Sequence, residues 1–307
     1  MIDFVFTNMI LDRAHHLRTD QAWIAEQIAA GQARTVTVWR DKVLIRNAGS
    51  GEALIVEGAS TLHDEASELV FLGMDGDTAY FAADISHLEE PFSAAIPGDG
   101  DFADLRALAP NLEHGIASML AHARALGYWH RTHQFCGVCG SPTESRKAGH
   151  ERKCANETCG KTHFPRTDPA VIMLVTHDGG SGPCALLAQN KRFPSGIRFS
   201  TVAGFVEPGE TLEQAVAREV KEETGVDVTD VVYQASQPWP FPASIMLGFR
   251  ARALTTEITI QDDELTDARW FTRDEVAELA AQDGVLPPSK FSISRWLIDT
   301  WLDETAA

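Results

Sequence analysis

Apolar and polar residues alternate with the two-residue period of β-strands through the first part of the chain. From Thr35 to about Ser86, short runs rich in β-branched and aromatic residues are separated by turn signals, and the runs read TVTVW, KVLIR, EALIVE, ELVFLGM and TAYFAADI. Asp75 and Gly76, a dipeptide that favours a tight hairpin turn, join the last two runs. The pattern predicts an antiparallel sheet.

Between Phe102 and Trp129 the apolar residues follow a helical period instead, with an interruption at Pro110. Apolar side chains recur near one helix face at Leu105, Leu108, Leu112, Ile116, Leu120 and Ala123. The spacing predicts one broken helix or a pair of helices. From Phe135 to His163 the apolar periodicity gives way to Cys, Gly, Lys and Arg, and after Pro165 strands and helices alternate again.

These changes in pattern predict three domains. Residues 1–130 form an α+β domain of sheet and helices, residues 131–164 a small insert, and residues 165–307 a second domain of strands and helices. The chain has 307 residues, of which 44% are hydrophobic and 23% charged, so it can bury a core of ordinary size.

The charge balance narrows the choice of partners. Against 26 basic residues stand 44 acidic ones, and the formal charge of -18 repels polyanions unless a local basic patch or a bound metal reverses the field. Nucleic acid is therefore not the default partner. The first residues lack a basic n-region, and no apolar run approaches the roughly 18 residues of a membrane span. We expect a cytoplasmic protein without a membrane partner.

Four of the five cysteines lie close together in the insert. Cys136 and Cys139 form a CGVCG turn, and Cys154 and Cys159 supply a second pair, which is enough thiolates for a tetrahedral structural zinc site. Such a cluster is more typical of a metal site in a reducing compartment than of a disulfide framework. Zinc ribbons also bind nucleic acid, but in an acidic chain with few aromatic residues we favour a structural role. The fifth, Cys184, is expected to be a small buried apolar residue.

The most informative segment, Gly204–Val226, reads GFVEPGETLEQAVAREVKEETGV and predicts a glycine-rich turn followed by a helix. Thr211 and Gln214 form a capping box at the start of the helix, and Gly225 ends it. At 100° per residue, the apolar stripe of the helix continues into carboxylates, so that Leu212, Ala215 and Val216 are followed by Glu219, Glu222 and Glu223.

Glu219 and Glu223 are a like-charge pair one turn apart, and such a pair destabilises a helix. A bound cation would relieve the repulsion between the two carboxylates. The alternative is a solvated acidic helix face, but such faces usually interleave lysines, and only Arg218 and Lys221 are basic here. The residues alone favour a metal site.

This segment resembles the Nudix box, in which the fixed positions are matched by Gly204, Glu210, Arg218, Glu219, Val220, Glu222, Glu223, Gly225 and Val226. The resemblance implies an α/β/α Nudix fold with a mixed sheet over residues 165–307. It also implies that Mg2+ or Mn2+ is held by Glu219, Glu222 and Glu223, by the main-chain carbonyl of Ala203 and by the more distant Glu264. In the family the equivalents of Glu210 and Arg218 support the loop and helix by ion pairing, and we expect Glu223 to be the general base.

A second motif, Ser236–Ser244, reads SQPWPFPAS. Its three prolines stiffen the segment, so Trp239 and Phe241 can present flat faces to a heteroaromatic ring. The alternative is a proline-rich connection with core aromatics. The motif resembles the SQPWPFPxS array of the NADH pyrophosphatase subgroup of Nudix hydrolases, in which a zinc ribbon precedes the Nudix domain.

That resemblance covers nearly the whole chain and implies a set of substrate-binding residues, namely Phe164, Phe205, Gln237, Trp239, Phe241 and Ser244. Phe164, in the position that reaches the substrate from the partner subunit in this subgroup, implies a homodimer. Many relatives have Tyr at that position, and a hydroxyl contact is therefore absent here. The C-x4-C spacing of Cys154 and Cys159 is a second departure, from the commoner C-x2-C.

The implied activity is hydrolysis of the diphosphate bond of NADH or NAD to nicotinamide mononucleotide and AMP, with removal of NAD caps from RNA 5' ends by the same cut. One alternative is a hydrolase of ADP-ribose or another nucleoside diphosphate derivative, which the SQPWPFPAS motif argues against. Another is a non-catalytic nucleotide sensor, but no glutamate of the box is lost. No G-x-G-x-x-G follows a strand and no P-loop lysine motif is present.

Overall fold

The computed structural model describes residues 4–47, 52–58, 60–91, 96, 100–180, 182–191, 199–260, 264–288 and 291–304. The chain divides into two compact units. The N-terminal unit comprises Phe6–Thr167 and Trp239–Ala243, and the Nudix unit comprises Met1–Val5, Asp168–Pro238 and Ser244–Ala307. Among the described residues, none of the helices has the length and apolar character that a membrane crossing requires.

The N-terminal unit is built on a six-stranded sheet in the order β4-β5-β1-β2-β6, with β3 paired to β1. The strands are β1 (Arg34–Trp39), β2 (Lys42–Arg46), β3 (Val56–Glu57), β4 (Glu68–Asp75), β5 (Thr78–Asp84) and β6 (Gly100–Asp104). The helices are α1 (Gln21–Ala29), α2 (Ser60–Glu65), α3 (Leu105–Leu108) and α4 (His114–Thr132), with 3-10 turns at His15–Thr19 and Ala109–Asn111. The predicted break of the helix near Pro110 is confirmed.

The prediction of a purely antiparallel sheet is wrong, because β1 and β5 pair in parallel. The β4–β5 hairpin forms at the predicted place, with Gly76 and Asp77 joining the paired residues Asp75 and Thr78. α2 precedes this hairpin and returns the chain so that β5 runs beside β1 in the same direction. Two further differences concern the length and the number of the strands. Only Val56–Glu57 of the EALIVE run is a strand, and β6 adds a strand beyond Ser86. Alternation identifies strands, whereas the choice of neighbour depends on the connections.

The four-cysteine insert folds as a three-stranded antiparallel sheet of β7 (Thr143–Arg146), β8 (Glu151–Cys154) and β9 (Thr162–His163). The turn between β7 and β8 packs on the larger sheet of the same unit. The amide of Phe71 donates to the Ala148 carbonyl at 3.1 Å, and His150 Nε2 donates to the Phe71 carbonyl at 2.7 Å. A side chain at Gly149 would clash, because its Cβ would lie 2.6 Å from Val70 Cγ2. The insert therefore shares its packing with the N-terminal sheet.

The Nudix unit has a mixed sheet in the order β13-β14-β10-β11-β15, with β12 paired to β10. Its elements are β10 (Asp168–Gly179), β11 (Gly182–Asn190), β12 (Val202–Phe205), α5 (Leu212–Thr224), β13 (Val228–Trp239), β14 (Ser244–Ala253), β15 (Leu265–Thr272), α6 (Arg273–Ala280) and α7 (Ile293–Leu302). β10 and β14 are parallel, whereas β11 and β12 run antiparallel to β10.

Successive residues of β10 point to opposite faces of this sheet, as the pleat of a strand requires. Val171 and Met173 join a core that contains Val216 of α5, whereas Ile172 joins a core on the other face that contains Leu297 of α7. Helices therefore cover both faces of the mixed sheet. The predicted α/β/α Nudix fold is confirmed, with α5, the carboxylate-bearing helix, packed on one face.

Candidate active site and zinc ribbon

The carboxylate-bearing helix α5 begins and ends where the sequence predicts. The Thr211 hydroxyl accepts from the Gln214 amide at 3.2 Å, and the Gln214 side chain accepts from the Thr211 amide at 2.8 Å, which completes the capping box. At the other end Gly225 takes the left-handed conformation, with φ 74. Ala215 and Val216 are fully buried, so the face of the helix that packs on the sheet is fixed.

Arg218 connects the helix to the loop that precedes it. Its Nε and Nη2 atoms donate to the two carboxylate oxygens of Glu210 at 3.1 and 2.6 Å, and Nη2 also donates to the Phe205 carbonyl at 2.8 Å. The amide of Glu207 donates to Glu210 at 2.7 Å and closes the loop. Hydrogen bonds from Arg218 lower the pKa of Glu210. The geometry is that of the supporting ion pair expected for these two residues.

The three predicted metal-binding glutamates sit at different depths on one side of α5. Glu223 is buried, with 4% of its surface exposed, Glu219 is partly buried and Glu222 is exposed. Arg218 Nη1 donates to Glu219 Oε1 and to Glu222 Oε2, each at 2.9 Å. Desolvation raises the pKa of Glu219, because burial disfavours its charged form.

This arrangement fits a divalent cation. Arg218 contacts three carboxylates with one positive charge, and the buried Glu223 adds a fourth carboxylate one turn beyond Glu219. A partly buried carboxylate in such a cluster needs a proton or a cation, and hard oxygen ligands are the ones that Mg2+ and Mn2+ prefer. Glu219, Glu222 and Glu223 are therefore the residues of this unit that could hold the ion.

The other predicted metal ligands lie at two places in the Nudix unit. Ala203 is in β12, opposite Ile172 of β10 and one residue before the glycine that packs against the Glu219 carboxylate. Glu264 is exposed and immediately precedes β15, and its main-chain carbonyl accepts from the Lys191 amide at 2.9 Å. The metal roles of Ala203 and Glu264 stay predictions.

The predicted substrate-binding residues differ in exposure. Phe205 and Phe164 are unusually open for aromatic side chains, with exposed fractions of 60% and 63%. Phe205 belongs to the Nudix unit, Phe164 to the N-terminal unit. Ser244 is partly buried at the start of β14, opposite Asp168 of β10. Exposed rings of this kind are available for stacking, and their contact with substrate stays a prediction.

Gln237 does not agree with its predicted place among the substrate-binding residues. Its side chain is fully buried at 0% exposure. Nε2 donates to the carbonyls of Val5 and Phe291 at 2.8 and 3.0 Å, and Oε1 accepts from the Ile293 amide at 2.9 Å. Because both ends of the amide are engaged by main-chain groups, we assign Gln237 a structural role at the start of α7 instead of direct contact with substrate.

Trp239 is the last residue of β13 and Phe241 lies in the connection to β14, and both residues belong to the N-terminal unit. Their ring centroids are 5.2 Å apart at an interplanar angle of 78°, and Phe6 contacts both rings edge-on. Two arginines that the sequence analysis did not single out, Arg106 and Arg124, approach this pair. No sequence signal could have found them, since Arg124 is 116 positions from the Pro240 carbonyl to which it donates.

In the insert, Sγ atoms of all four predicted cysteines lie within 4.8 Å of one another. This is the spacing of a tetrahedral site with Zn–S bonds of about 2.3 Å. The Val138 amide donates to Cys136 Sγ at 3.5 Å, and His163 Nε2 lies 3.3 Å from the same sulfur. His163 was not predicted, although it follows the second cysteine pair closely in the sequence.

The thiols of this cluster titrate differently. Hydrogen bonds from Ser141 lower the pKa of Cys139 to about 6, whereas desolvation raises the pKa of Cys154 to about 12. Four thiolates at this spacing need a cation to balance their charge. The donor set and the spacing both fit zinc. Among the described residues, these cysteines are also the only group of three or more potential ligands whose ligand atoms already lie this close together.

In a comparison with known proteins, three family models match successive segments of the chain. Residues 32–129 match the NADH pyrophosphatase-like rudimentary NUDIX domain, residues 131–164 the NADH pyrophosphatase zinc ribbon domain, and residues 166–296 the NUDIX domain. The predicted zinc ribbon therefore agrees with a known domain of that kind.

Three relatives illustrate how far the similarity extends. The chain is 39% identical over 302 residues to the NAD-capped RNA hydrolase NudC of Mycobacterium bovis, with 94% of this chain and 92% of the relative covered. It is 41% identical over 235 residues to NudC of Stutzerimonas stutzeri, with 76% and 79% covered.

The human NAD-capped RNA hydrolase NUDT12 is 44% identical over 201 residues, which are 62% of this chain and 43% of that relative. The chain thus spans less than half the length of NUDT12. The near full-length match to a bacterial relative, together with the order of the three domain models, shows that the chain belongs to the Nudix hydrolase family, in the NADH pyrophosphatase branch.

Proposed function

We propose that the protein hydrolyses the diphosphate bond of NADH or NAD, giving reduced or oxidised nicotinamide mononucleotide and AMP, and that it cuts the same bond at the 5' end of NAD-capped RNA. The two substrates share one reacting bond. Support comes from relatives in bacteria and in humans that carry the name NAD-capped RNA hydrolase, and from the NADH pyrophosphatase-type domains that precede the Nudix domain.

The observation that carries the proposal is the acidic end of α5. Glu219 and Glu222 share one donor, Arg218 Nη1, while Glu223 is buried one turn beyond Glu219. A solvated acidic face would leave all three carboxylates in water. Here Glu219 is partly buried and Glu223 is buried, although burial penalises charge, and a bound cation would offset that penalty.

The chemistry needs an activated water and relief of the negative charge of the diphosphate. A divalent ion supplies both when bound, because it lowers the pKa of a bound water and neutralises phosphate oxygens. Glu219 and Glu222 would hold the ion, and Glu223 would accept the proton from the attacking water. Arg218 donates to Glu210 and to the Phe205 carbonyl, and these hydrogen bonds would hold the loop against the helix during hydrolysis.

The exposed ring of Phe205 and the rings of Trp239 and Phe241 would supply the selectivity. A nicotinamide ring binds to such faces by stacking, and rigid aromatic side chains lose little conformational entropy when they do so. ADP-ribose lacks that ring. This is the physical reason for preferring NADH and NAD to ADP-ribose as substrates.

Four further features belong to the proposal. The catalytic ion is Mg2+ or Mn2+, which hard carboxylate ligands bind in common. The ribbon holds one structural zinc. The protein acts as a homodimer, in which Phe164 reaches the substrate of the partner subunit. It is located in the cytoplasm.

The acidic chain can still act on RNA, because repulsion between exposed charges is screened over about 8 Å at physiological ionic strength.

A side-by-side turnover assay tests the function. NADH, NAD, ADP-ribose and NAD-capped RNA are each incubated with the protein and Mg2+ or Mn2+, and the products are identified by mass spectrometry. We expect nicotinamide mononucleotide and AMP from the dinucleotides, a 5'-monophosphorylated RNA from the capped RNA, and slower turnover of ADP-ribose. Failure to cut any nicotinamide dinucleotide or cap, with either ion, would overturn the proposal.

A further inference from the structure

The connection between β13 and β14 departs from the unit that its two strands belong to. β14 and β13 up to Pro238 are part of the Nudix unit, but Trp239, the last residue of β13, and the following residues to Ala243 belong to the N-terminal unit. The segment Trp239–Ala243, hereafter the aromatic loop, carries both rings of the SQPWPFPAS motif. Its conformation is therefore determined by contacts that the Nudix box does not provide.

Arg124 of α4 makes the most buried of these contacts. Only 7% of its surface is exposed. Its Nη1 atom donates to the Pro240 carbonyl, its Nε atom donates to the Asp41 carbonyl at 3.0 Å, and its guanidinium carbon lies 5.1 Å from the centroid of the Phe241 ring. One side chain thus holds the loop by its main chain and by one of its rings.

The position of Arg124 is itself fixed by a chain of ion pairs. Asp41, in the turn between β1 and β2, lies 3.9 Å from Arg124 Nη2 and also pairs with Arg131. Arg131 in turn donates to the buried Asp84 at 2.6 Å. Desolvation lowers the pKa of Arg124, but an arginine keeps its charge even so. The buried charge is thus paired and oriented.

Arg106 of α3 lies against the same two rings from an exposed position. Its guanidinium carbon is 4.7 Å from the centroid of Phe241 and 5.5 Å from that of Trp239. These are cation–π distances. Arg106 extends the contact from Phe241 to Trp239, which Arg124 does not reach by a contact of this kind.

We propose that Arg106 and Arg124 are positioning residues that set selectivity for the nicotinamide ring by holding Trp239 and Phe241 of the aromatic loop in place. Both arginines lie within residues 32–129, which match the rudimentary NUDIX domain, and neither belongs to the carboxylate-bearing helix α5. The inference rests on the proposed function, since it assigns the loop's rings to recognition of a dinucleotide. It predicts that changes at these arginines alter which substrate is preferred and spare the hydrolytic step.

The two arginines can be tested separately because their environments differ. Arg106→Met removes the charge and the stacking plane at an exposed site, where the fold is not at risk. Arg124→Lys keeps a positive charge in the buried site but replaces a planar group with several donors by a single nitrogen, which cannot serve the Asp41 and Pro240 carbonyls in the same geometry. The matched control is Arg40→Met, since Arg40 is an exposed arginine of the same unit that lies 4.9 Å from the ring of Trp39, outside the loop.

The measurement is kcat/KM for NADH and for ADP-ribose with each variant, well below its unfolding temperature. We expect the NADH to ADP-ribose ratio to fall about threefold in Arg106→Met and about tenfold in Arg124→Lys, mainly through KM for NADH. Arg40→Met should leave the ratio unchanged. A parent that hydrolyses neither substrate overturns the proposed function itself. A parent that prefers NADH, with a ratio unchanged in both variants, overturns only the present inference.

Hydrogen exchange provides a second readout that does not depend on catalysis. The amides of Phe241 and Ala243 should exchange faster in Arg124→Lys than in the parent, while those of α5 should not change. In the parent the Phe241 amide donates to the Trp239 carbonyl at 2.8 Å, and this bond reports the order of the loop. Equal exchange of the loop in parent and variant would contradict a positioning role for Arg124.

Discussion

Gly204 and Glu219 are in such close contact that a β-carbon built on Gly204 would lie 1.9 Å from Cδ of Glu219 and 2.1 Å from both carboxylate oxygens. β12 therefore passes directly against a carboxylate expected to bind metal. The backbone of Gly204 does not have a positive φ. This glycine is required for space and not for conformational freedom.

We expect Gly204→Ala to displace the Glu219 carboxylate and to lower kcat/KM for NADH by about 100-fold, as displacements near 1 Å at a reacting centre can do. The dependence on Mg2+ or Mn2+ concentration should move to higher values in the same variant. Gly180→Ala is the control, because Gly180 belongs to the same unit and its added β-carbon would meet nothing within 4 Å. Normal metal dependence in Gly204→Ala would show that the Glu219 carboxylate can lie elsewhere during turnover.

Glu223→Gln should keep the fold and lower kcat by at least about 100-fold, because a metal ligand or general base is lost while the volume of the buried side chain is kept. The control is Glu213→Gln, an exposed glutamate in the first turn of the same helix. Thermal unfolding of both variants should match the parent. Activity within threefold of the parent, about 0.7 kcal/mol at most, would rule out an essential role for Glu223.

Cys136→Ser and Cys154→Ser should each release one zinc per chain and lower the unfolding temperature, since the small insert depends on metal for its order. The turn between β7 and β8 packs on β4, so the loss of stability should extend to the N-terminal sheet. Cys184→Ser is the control for zinc content, since Cys184 lies outside the cluster in β11. A cluster variant that retains full zinc by elemental analysis would contradict the four-cysteine site.

Stability should fall with acid because the buried His130 and the half-buried His150 are held neutral. Burial lowers the pKa of His130 and of His150 to about 4, from an ordinary 6.5. The Nε2 atoms donate to the carbonyls of Gly149 and Phe71, and Arg152 donates to Nδ1 of His130. The unfolded chain therefore binds more protons below pH 6.5 than the folded chain does.

The stabilisation from these neutral rings is complete above pH 6.5 and is lost as the pH falls from there towards 4. The free energy of unfolding should decrease by up to about 1.4 kcal/mol per pH unit for each histidine. Urea unfolding between about pH 7.5 and about pH 5.5 measures the slope. His150→Gln should reduce it, whereas His16→Gln, at an exposed histidine, should not. An unchanged slope in His150→Gln would exclude the protonation of His150 as a cause.

Local sequence patterns predicted the Nudix unit and its helix well, because their determinants are close together in the chain. The capping box, Gly225 and the Arg218–Glu210 pair all lie within one segment of the Nudix box, and the structure places them as expected. The cysteine cluster was predicted for the same reason. Spacing along a short segment is enough to define a cap, a loop or a zinc knuckle.

Features that depend on distant parts of the chain were not predicted. The parallel pairing of β1 with β5 depends on how α2 returns the chain, and the burial of Gln237 depends on residues of α7. The arginines that hold the aromatic loop lie more than a hundred positions away from it. The motif singled out Trp239 and Phe241, whose role in substrate binding stays a prediction, but not the arginine side chains that contact them.

The last prediction concerns the rings themselves. Trp239→Ala and Phe205→Ala should each reduce the preference for NADH over ADP-ribose, since ADP-ribose lacks the nicotinamide ring. Removal of one stacking face should cost roughly 1 to 3 kcal/mol in kcat/KM for NADH, by comparison with bases stacked on aromatic side chains. The comparison uses both substrates, because a general loss of folded protein scales the two values together and leaves their ratio unchanged. Phe135→Ala, which removes an exposed aromatic from the start of the ribbon, is the control for loss of surface apolar area. If the ratio is unchanged in both variants, these aromatic residues are packing elements, and the nicotinamide ring must bind elsewhere in the protein.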